Sequence, residues 1–403
     1  MIRSLSFENF FSFRGETTID FTVGKQAPQT NLFASTPTGD RVTKVIALIG
    51  ANGSGKTNVL RAFVFLRWFL AESFRSLEPG DDIPFFPFAF SNDEDGDPTR
   101  FRVEFEIGEE RIAYSLSLTR REILSERLEL MNRRTNRFRY LVVRERVGEG
   151  EYEVRSNDFD LNDDAMEQLL RSNASIVSVG RYTEHPGLTR VSSYLKSSTS
   201  NVDLPGRFLM KDRIIEAAER YAHQPQLRED AADILRDLDL GLSSFEIEER
   251  SVRFGEAGED STKIFMPFGI HDVQGRKHRL PFLFESGGTR SLFVLLSELL
   301  TVLKRGGLAA IDEFEADLHP HMIPRVLQLF FDPETNPKGA QILFSCHSTS
   351  VLESLEKDQI VLVEKDSGCE SRAWRLDEIS GVRRDENLYA KYNAGVYGAV
   401  PLL

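Results

Sequence analysis

One octapeptide carries the strongest chemical signal in the chain. Gly50-Ala51-Asn52-Gly53-Ser54-Gly55-Lys56-Thr57 fits the pattern G-x-x-x-x-G-K-[S/T]. Glycines at these places allow tight turns, so successive backbone N–H groups can point at one anion. Lys56 offers a point charge to β- and γ-phosphates, and the Thr57 hydroxyl suits Mg²⁺. A helix opening here aims its positive end at the same anion. The pattern predicts a nucleotide site built from Gly50, Asn52, Gly53, Ser54, Gly55, Lys56, Thr57 and the adjoining Asn58.

Hydrolysis at such a site needs acids at the end of a neighbouring strand. Leu308-Ala309-Ala310-Ile311-Asp312-Glu313 is an apolar run closed by two of them. Asp312 is expected to hold Mg²⁺ through water, and Glu313 to polarise the attacking water. Ser286-Gly287-Gly288 stands before an apolar helix containing Leu292, Phe293, Leu295, Leu296 and Leu299. Alone it is either an ordinary N-cap or a second anion cradle. Its place one helix and a Gly306-Gly307 turn ahead of the acidic strand favours the cradle. Gln341 to Cys346 reads as a strand ending at His347, which could pack locally or hydrogen-bond a γ-phosphate or the attacking water. His319-Pro320-His321 has a spacing that suits no zinc site without further ligands, and reads as structural.

The elements that must hold these residues follow from periodicity. Val45–Ile49 is an apolar strand, and Val59, Leu60, Phe63, Val64 and Leu66 recur at helical spacing from Thr57 to about Phe74. Phe101, Val103, Phe105 and Ile107 alternate with charges, then Ile112, Tyr114, Leu116 and Leu118 alternate again, which predicts a hairpin. Two or three more strands are expected to about Val147, and further strands within 243–284. Helices are expected near 165–171, 208–222, 227–239, 288–304 and 320–331. Residues 156–164 read as a polar linker, and 183–205 as a flexible loop. The fold class predicted is α/β, with a mixed phosphate-binding sheet, an antiparallel β subdomain and a helical lobe. The division expected is 1–155, 156–304 and 305–403.

Composition narrows the function. At 403 residues, 40% hydrophobic and 28% charged, the chain is neither a disordered segment nor a disulfide scaffold. Sixty-three acidic against 50 basic residues give a net charge of −13, which disfavours a nucleic-acid coat or a membrane-surface protein. Residues 100–146 run the other way, with 12 Arg against 8 Glu. That segment is either a sheet face laced with ion pairs or a surface for nucleic acid or a partner. No apolar run approaches the ~20 residues that cross a bilayer. The opening Met1 to Phe7 reads as a strand and not as a signal peptide. Cys346 and Cys369 are expected as free thiols, which fits a cytoplasmic protein.

These motifs in this order resemble the ATP-binding-cassette (ABC) ATPases, in the branch shared by SMC and RecF proteins. Gly50–Thr57 matches Walker A, Ser286-Gly287-Gly288 the signature, Asp312-Glu313 Walker B, Glu315–Leu318 the D-loop and His347 the switch histidine. Phe7-x-Asn9-Phe10-x-Ser12-Phe13 is similar to that branch's first strands, which lie near the adenine. A narrower likeness is to the small phage-defence ATPases of RloA/AbiL type and their relatives in Septu, PARIS and OLD systems. It rests on Gly288-Thr289-Arg290-Ser291, Leu318-His319-Pro320, the run from Asp358 to Asp366, and the tail from Gly395 to Pro401.

The resemblance implies ATP and Mg²⁺ as cofactors, and a head-to-tail pair of chains with ATP between Walker A of one and the signature of the other. It also implies a sensor or regulator whose effector, a nuclease or toxin, is a separate protein. Departures are equally specific. Glu285 and Thr289 flank the signature where transporters usually carry Leu and Gln, and no Gln lies between Lys56 and Gln168 to serve as the Q-loop residue. Asn92, Ser91 or a water is left for that role. The branch's long coiled coil has no room. Val361-Leu362-Val363-Glu364 is similar to the first strand of a Toprim nuclease, but 39 residues follow Glu364 and contain no Asp-x-Asp, so it is expected to be ATPase core. A RecF-type repair ATPase, with DNA on the arginine-rich strands, and an ATP-bound scaffold with little turnover are the rival expectations.

Overall fold

The computed structural model describes residues 1–90, 97–148, 150–157, 168–238, 241–254, 260–316 and 318–400. In chain order its strands begin with β1 (Ile2–Glu8), β2 (Thr17–Asp20), β3 (Phe33–Ser35), β4 (Arg41–Thr43) and β5 (Val45–Ile49). Next come β6 (Thr99–Ile107), β7 (Glu110–Leu118), β8 (Ile123–Asn132), β9 (Arg137–Gly148), β10 (Glu151–Ser156) and β11 (Thr199–Ser200). The last are β12 (Ser244–Phe254), β13 (Asp260–Val273), β14 (Arg276–Pro281), β15 (Leu308–Ile311), β16 (Gln341–Cys346), β17 (Ile360–Lys365) and β18 (Ser371–Arg375).

All five residues of β5 are buried, as expected of a strand covered on both faces. It lies inside a six-stranded sheet of order β11-β15-β16-β5-β17-β18. The neighbours from β11 to β17 run parallel, and β18 returns antiparallel to β17. The Toprim-like segment is therefore an interior strand of this sheet.

The alternation along β5 divides the molecule. Ile46 and Leu48 enter one core with Val59, Leu60 and Phe63 of the helix Lys56–Ser76 and with the apolar face of a second sheet. That sheet is antiparallel, with seven strands in the order β10-β9-β8-β7-β6-β1-β2. Phe10 meets Phe101 edge-on at 5.2 Å, and Phe65 stacks on Phe101 at 4.9 Å, which ties the helix to the sheet. Val45, Ala47 and Ile49 enter the other core, with the helices Ile214–His223, Pro225–Asp237, Gly287–Arg305 and Ile323–Phe331. At about 1.5–3 kcal/mol per fully buried large apolar side chain, these two cores dominate the favourable side of folding. The strands β12-β13-β14 form a three-stranded sheet, and β3-β4 a small pair.

Most elements fall where periodicity put them. One exception is 183–205, expected as a loop. Pro186–Lys196 is a helix, with His185 as N-cap and Pro at the first position, where its missing N–H costs nothing. Leu188, Val191 and Leu195 form its buried stripe, which the neighbouring Ser and Thr residues obscure in the sequence. The expected helix near 165–171 and the linker at 156–164 lie largely outside the described residues.

The arginine-rich strands are laced with ion pairs. Arg102 meets Glu104 and Glu129, Arg111 meets Glu104, Arg146 meets Glu122, and the fully buried Arg144 meets Glu126. The longest described helix has 21 residues, so no long coiled coil is evident among the described residues. No described helix is long and apolar enough to cross a membrane.

Candidate nucleotide site

The carboxyl ends of β5, β15 and β16 meet at one cavity of about 380 Å³. Asn52, Gly53, Ser54, Gly55, Lys56, Thr57 and Asn58 line it, with Asp312, Glu313, His347 and Lys365. Gly53 and Gly55 have φ of +73° and +113°, a region that side-chain-bearing residues rarely adopt. At Gly55 a Cβ would also come within 2.6 Å of the Ser371 hydroxyl. At Gly50 it would stand 2.0 Å from the Val363 carbonyl oxygen, so β5 can meet β17 at this point only through glycine. The loop delivers the chain into Lys56–Ser76 at its N-terminus, where free N–H groups face the cavity.

Lys56 is buried, and its ammonium donates to the carbonyls of Gly50 (2.7 Å) and Ala51 (2.9 Å). Burial lowers its pKa below the ordinary lysine value, opposed by the charges of Asp312, Glu315 and Glu313. The Thr57 hydroxyl donates to Asp312 Oδ2 at 2.9 Å. Asp312 Oδ1 accepts from the Ser345 hydroxyl at 2.5 Å, and that same hydroxyl accepts from the Glu313 N–H at 2.8 Å. Asn201 grips the Asp312 backbone in both directions, at 2.7 and 2.9 Å. Glu313 has φ of +47° and pairs with Arg207 at 2.6 Å. His347 Nε2 lies 3.9 Å from Glu313 Oε1. The His347 N–H donates to Glu315 Oε1 at 2.5 Å, which joins the D-loop segment to the end of β16.

This donor set fits a nucleotide with a hard cation. A hydroxyl and a carboxylate oxygen in contact are oxygen ligands of the kind Mg²⁺ takes. The Ser54 hydroxyl is buried at the cavity without a hydrogen-bond partner among the described residues. Thr57 and Asp312 are the residues that would hold Mg²⁺, and the loop N–H groups with Lys56 would hold phosphates. At the opening of the chain, Ser12 accepts from Asn58 Nδ2 at 2.8 Å and from the Ser371 hydroxyl at 2.7 Å. The turn after β1 thus lies against the loop.

Ser286, Gly287 and Gly288 do not line this cavity. Ser286 caps the helix Gly287–Arg305 by accepting from the Thr289 N–H at 3.1 Å, and it is exposed. Leu283 and Phe284 beside it are 66% and 71% exposed. His319 caps the turn Pro320–Met322, as a structural histidine would. The Q-loop stand-ins Asn92 and Ser91 lie outside the described residues.

Sequence reasoning passed over three residues that the fold brings to the acids, Asn201, Arg207 and Ser345, and a fourth, Lys365, that lines the cavity. Ser345 could have been found, because it stands two residues before His347 on a strand that must neighbour Asp312. Asn201 and Arg207 carry no signal, since they come from a segment more than 100 residues earlier in the chain.

A phosphate-binding loop, paired acids and a histidine at the ends of parallel strands, backed by an antiparallel sheet, define the fold of an ABC-type ATPase head. The chain belongs to the family described as "AAA domain, putative AbiEii toxin, Type IV TA system", whose model matches residues 45–353, over three quarters of its length. Its fold is similar to an SMC head bound to the C-winged helix domain of ScpA, at 15% identity and a TM-score of 0.50, covering 94% of this chain and 98% of that one. It is also similar to the SMC head domain from Thermotoga maritima, at 16% identity and a TM-score of 0.42, covering 93% and 98%. A further likeness is to the Pyrococcus furiosus Smc head with an extended coiled coil, at 14% identity and a TM-score of 0.48, covering 94% and 97%. At these identities the likeness is one of fold. No curated protein matches the sequence.

Proposed function

We propose that the chain binds and hydrolyses ATP with Mg²⁺, in two copies set head to tail, and regulates an anti-phage complex whose effector is a separate protein. The observation that carries hydrolysis is the chain of contacts from Thr57 through Asp312 to Ser345 and Glu313 around one cavity. Glu313 accepts the proton of the attacking water, and His347 beside it contacts the same water or the terminal phosphate. Developing charge is met by Lys56 and the loop N–H groups.

Pairing of two copies is supported by the signature. Ser286 and its free helix N-terminus stand exposed, outside the cavity of their own chain, beside the exposed Leu283 and Phe284. A second chain can therefore take that anion cradle and cover the apolar pair. The defence role is supported by the family's description, which names a toxin of a toxin–antitoxin system. The repair reading has less support, because many of the arginines that would face DNA are already paired with glutamates.

The test is to purify Glu313→Gln from its native host with ATP present and to identify what travels with it by mass spectrometry. A small nuclease- or toxin-like partner in fixed ratio is expected. Recombination proteins or DNA in its place would overturn the regulatory reading.

A further inference from the structure

On the edge of the central sheet beyond β11 lies a second cavity, of about 250 Å³, lined almost wholly by polar side chains. Five of them are cations: Arg67, Lys196, Arg213, Arg220 and Arg305. A single carboxylate, the buried Glu298, forms part of the wall. Elsewhere on this acidic chain many arginines have a carboxylate each. Here the cations outnumber the acid by five to one.

The wall partners are known in detail. Glu298 accepts from Arg220 at 2.9 Å and from the Thr199 hydroxyl at 2.5 Å, with Arg213 at 3.9 Å. Lys196 is paired with Glu72, and Arg213 also with Glu216 at 2.5 Å. Neither Arg67 nor Arg305 has a carboxylate within ion-pair distance among the described residues. Arg67 donates to the Ser198 carbonyl at 2.7 Å, and burial lowers its pKa, opposed by the charges of Glu298 and Glu72 and reinforced by like-charge repulsion from Arg213. Arg305 is exposed at the rim. Two guanidinium groups thus face a concave polar space without a direct carboxylate partner among the described residues, where planar forks match phosphate oxygens well.

We propose that this cavity is a second anion site, separate from the Walker A site, which takes the phosphate groups of a small phosphorylated ligand such as a free nucleotide or pyrophosphate. Its size and its buried floor suit a compact anion. The net charge of −13 opposes a long polyanion. Its position gives it a consequence. Arg67 lies on the helix leaving the phosphate loop, and Arg305 ends the helix that the signature begins. Thr199 and Ser200 lie on β11, beside β15, whose last residue Ile311 precedes Asp312. One anion held here bridges all three.

The proposal does not depend on ATP turnover, so it is tested on full-length Lys56→Ala, in which the known loop is crippled. Inorganic pyrophosphate is titrated calorimetrically without Mg²⁺. Saturable binding is expected, and adding Arg305→Glu should weaken it by about tenfold or more, the size of one lost charge-assisted contact. Arg305 is exposed, so this change leaves folding intact. Arg213→Gln provides a second reading in the same direction. Equal affinity with and without Arg305→Glu overturns the site, as does the absence of saturable binding in Lys56→Ala. Arg305-dependent binding of a single-stranded oligonucleotide, with none of pyrophosphate, overturns the small-ligand assignment.

Discussion

Ser345→Ala removes one buried hydroxyl that sets two acids at once. That hydroxyl donates to Asp312 Oδ1 and accepts from the Glu313 N–H. A hydrogen bond to a charged group contributes about 1.5–3 kcal/mol, and a buried N–H left without a partner costs about 1–3 kcal/mol. The expected loss of stability is thus about 2.5–6 kcal/mol, the lower part applying because the Glu313 N–H is only partly buried and a water can enter. The functional loss has a separate origin. Glu313 is held at φ +47°, and its turn is fixed by Glu313 N–H to the Ser345 hydroxyl, Phe314 N–H to the Ser345 carbonyl and Ala316 N–H to the Glu313 carbonyl, with Arg207 on the carboxylate. With the first tie gone the carboxylate drifts, and a misplacement near 1 Å costs about 10²-fold in rate. Urea unfolding followed by circular dichroism measures the first effect, and phosphate release under saturating ATP and Mg²⁺ the second. Stability within about 0.5 kcal/mol of the parent, with unchanged turnover, would refute the reasoning, since that is the scale of an uninvolved surface change.

Gly50→Ala is expected to give insoluble or nucleotide-free protein, because its Cβ would sit 2.0 Å from the Val363 oxygen; recovery of soluble chain that binds ATP normally contradicts this. Glu126→Ala strands the fully buried Arg144 and also removes the acceptor for the Ser175 hydroxyl and the Ile176 N–H; it should cost about 3–5 kcal/mol, read by thermal or urea unfolding. Thiol labelling at pH 8 should show one fast and one slow cysteine per chain. Cys369 is exposed, whereas burial and the charge of Glu315 raise the Cys346 pKa and deplete its thiolate. Phe284→Asp should weaken ATP-dependent pairing of Glu313→Gln chains in light scattering while leaving nucleotide binding by the single chain intact.

The parts of the fold that rest on local physics were legible. The helix expected from Thr57 to about Phe74 runs from Lys56 to Ser76, and the apolar run before the Gly306-Gly307 turn is the helix Gly287–Arg305. Both are long, with apolar residues at 3.6 spacing, which is the strongest local signal there is. The helix Pro186–Lys196 was missed because its stripe is three residues wide and its exposed face is Ser- and Thr-rich. The Walker loop and the acids were legible because their chemistry demands residue types at fixed spacing. Ser345, Asn201 and Arg207 were not, because what they do depends on strand order. Only when β16 lies beside β15 does Ser345 reach both acids, and only when β11 joins the same edge do Asn201 and Arg207. The arginine-rich strands show the same limit: composition gave the excess charge, and cross-strand register decided its pairing.

The most direct test of the central claim is phosphate release from ATP by the parent chain and by Glu313→Gln, with nucleotide binding measured on the same samples. The parent should turn over in the presence of Mg²⁺, and the variant should bind ATP as well but turn over about 10²–10⁴-fold more slowly, the usual contribution of a general base. Equal turnover in the two proteins, or none in the parent under conditions where it binds ATP and Mg²⁺, would contradict the account.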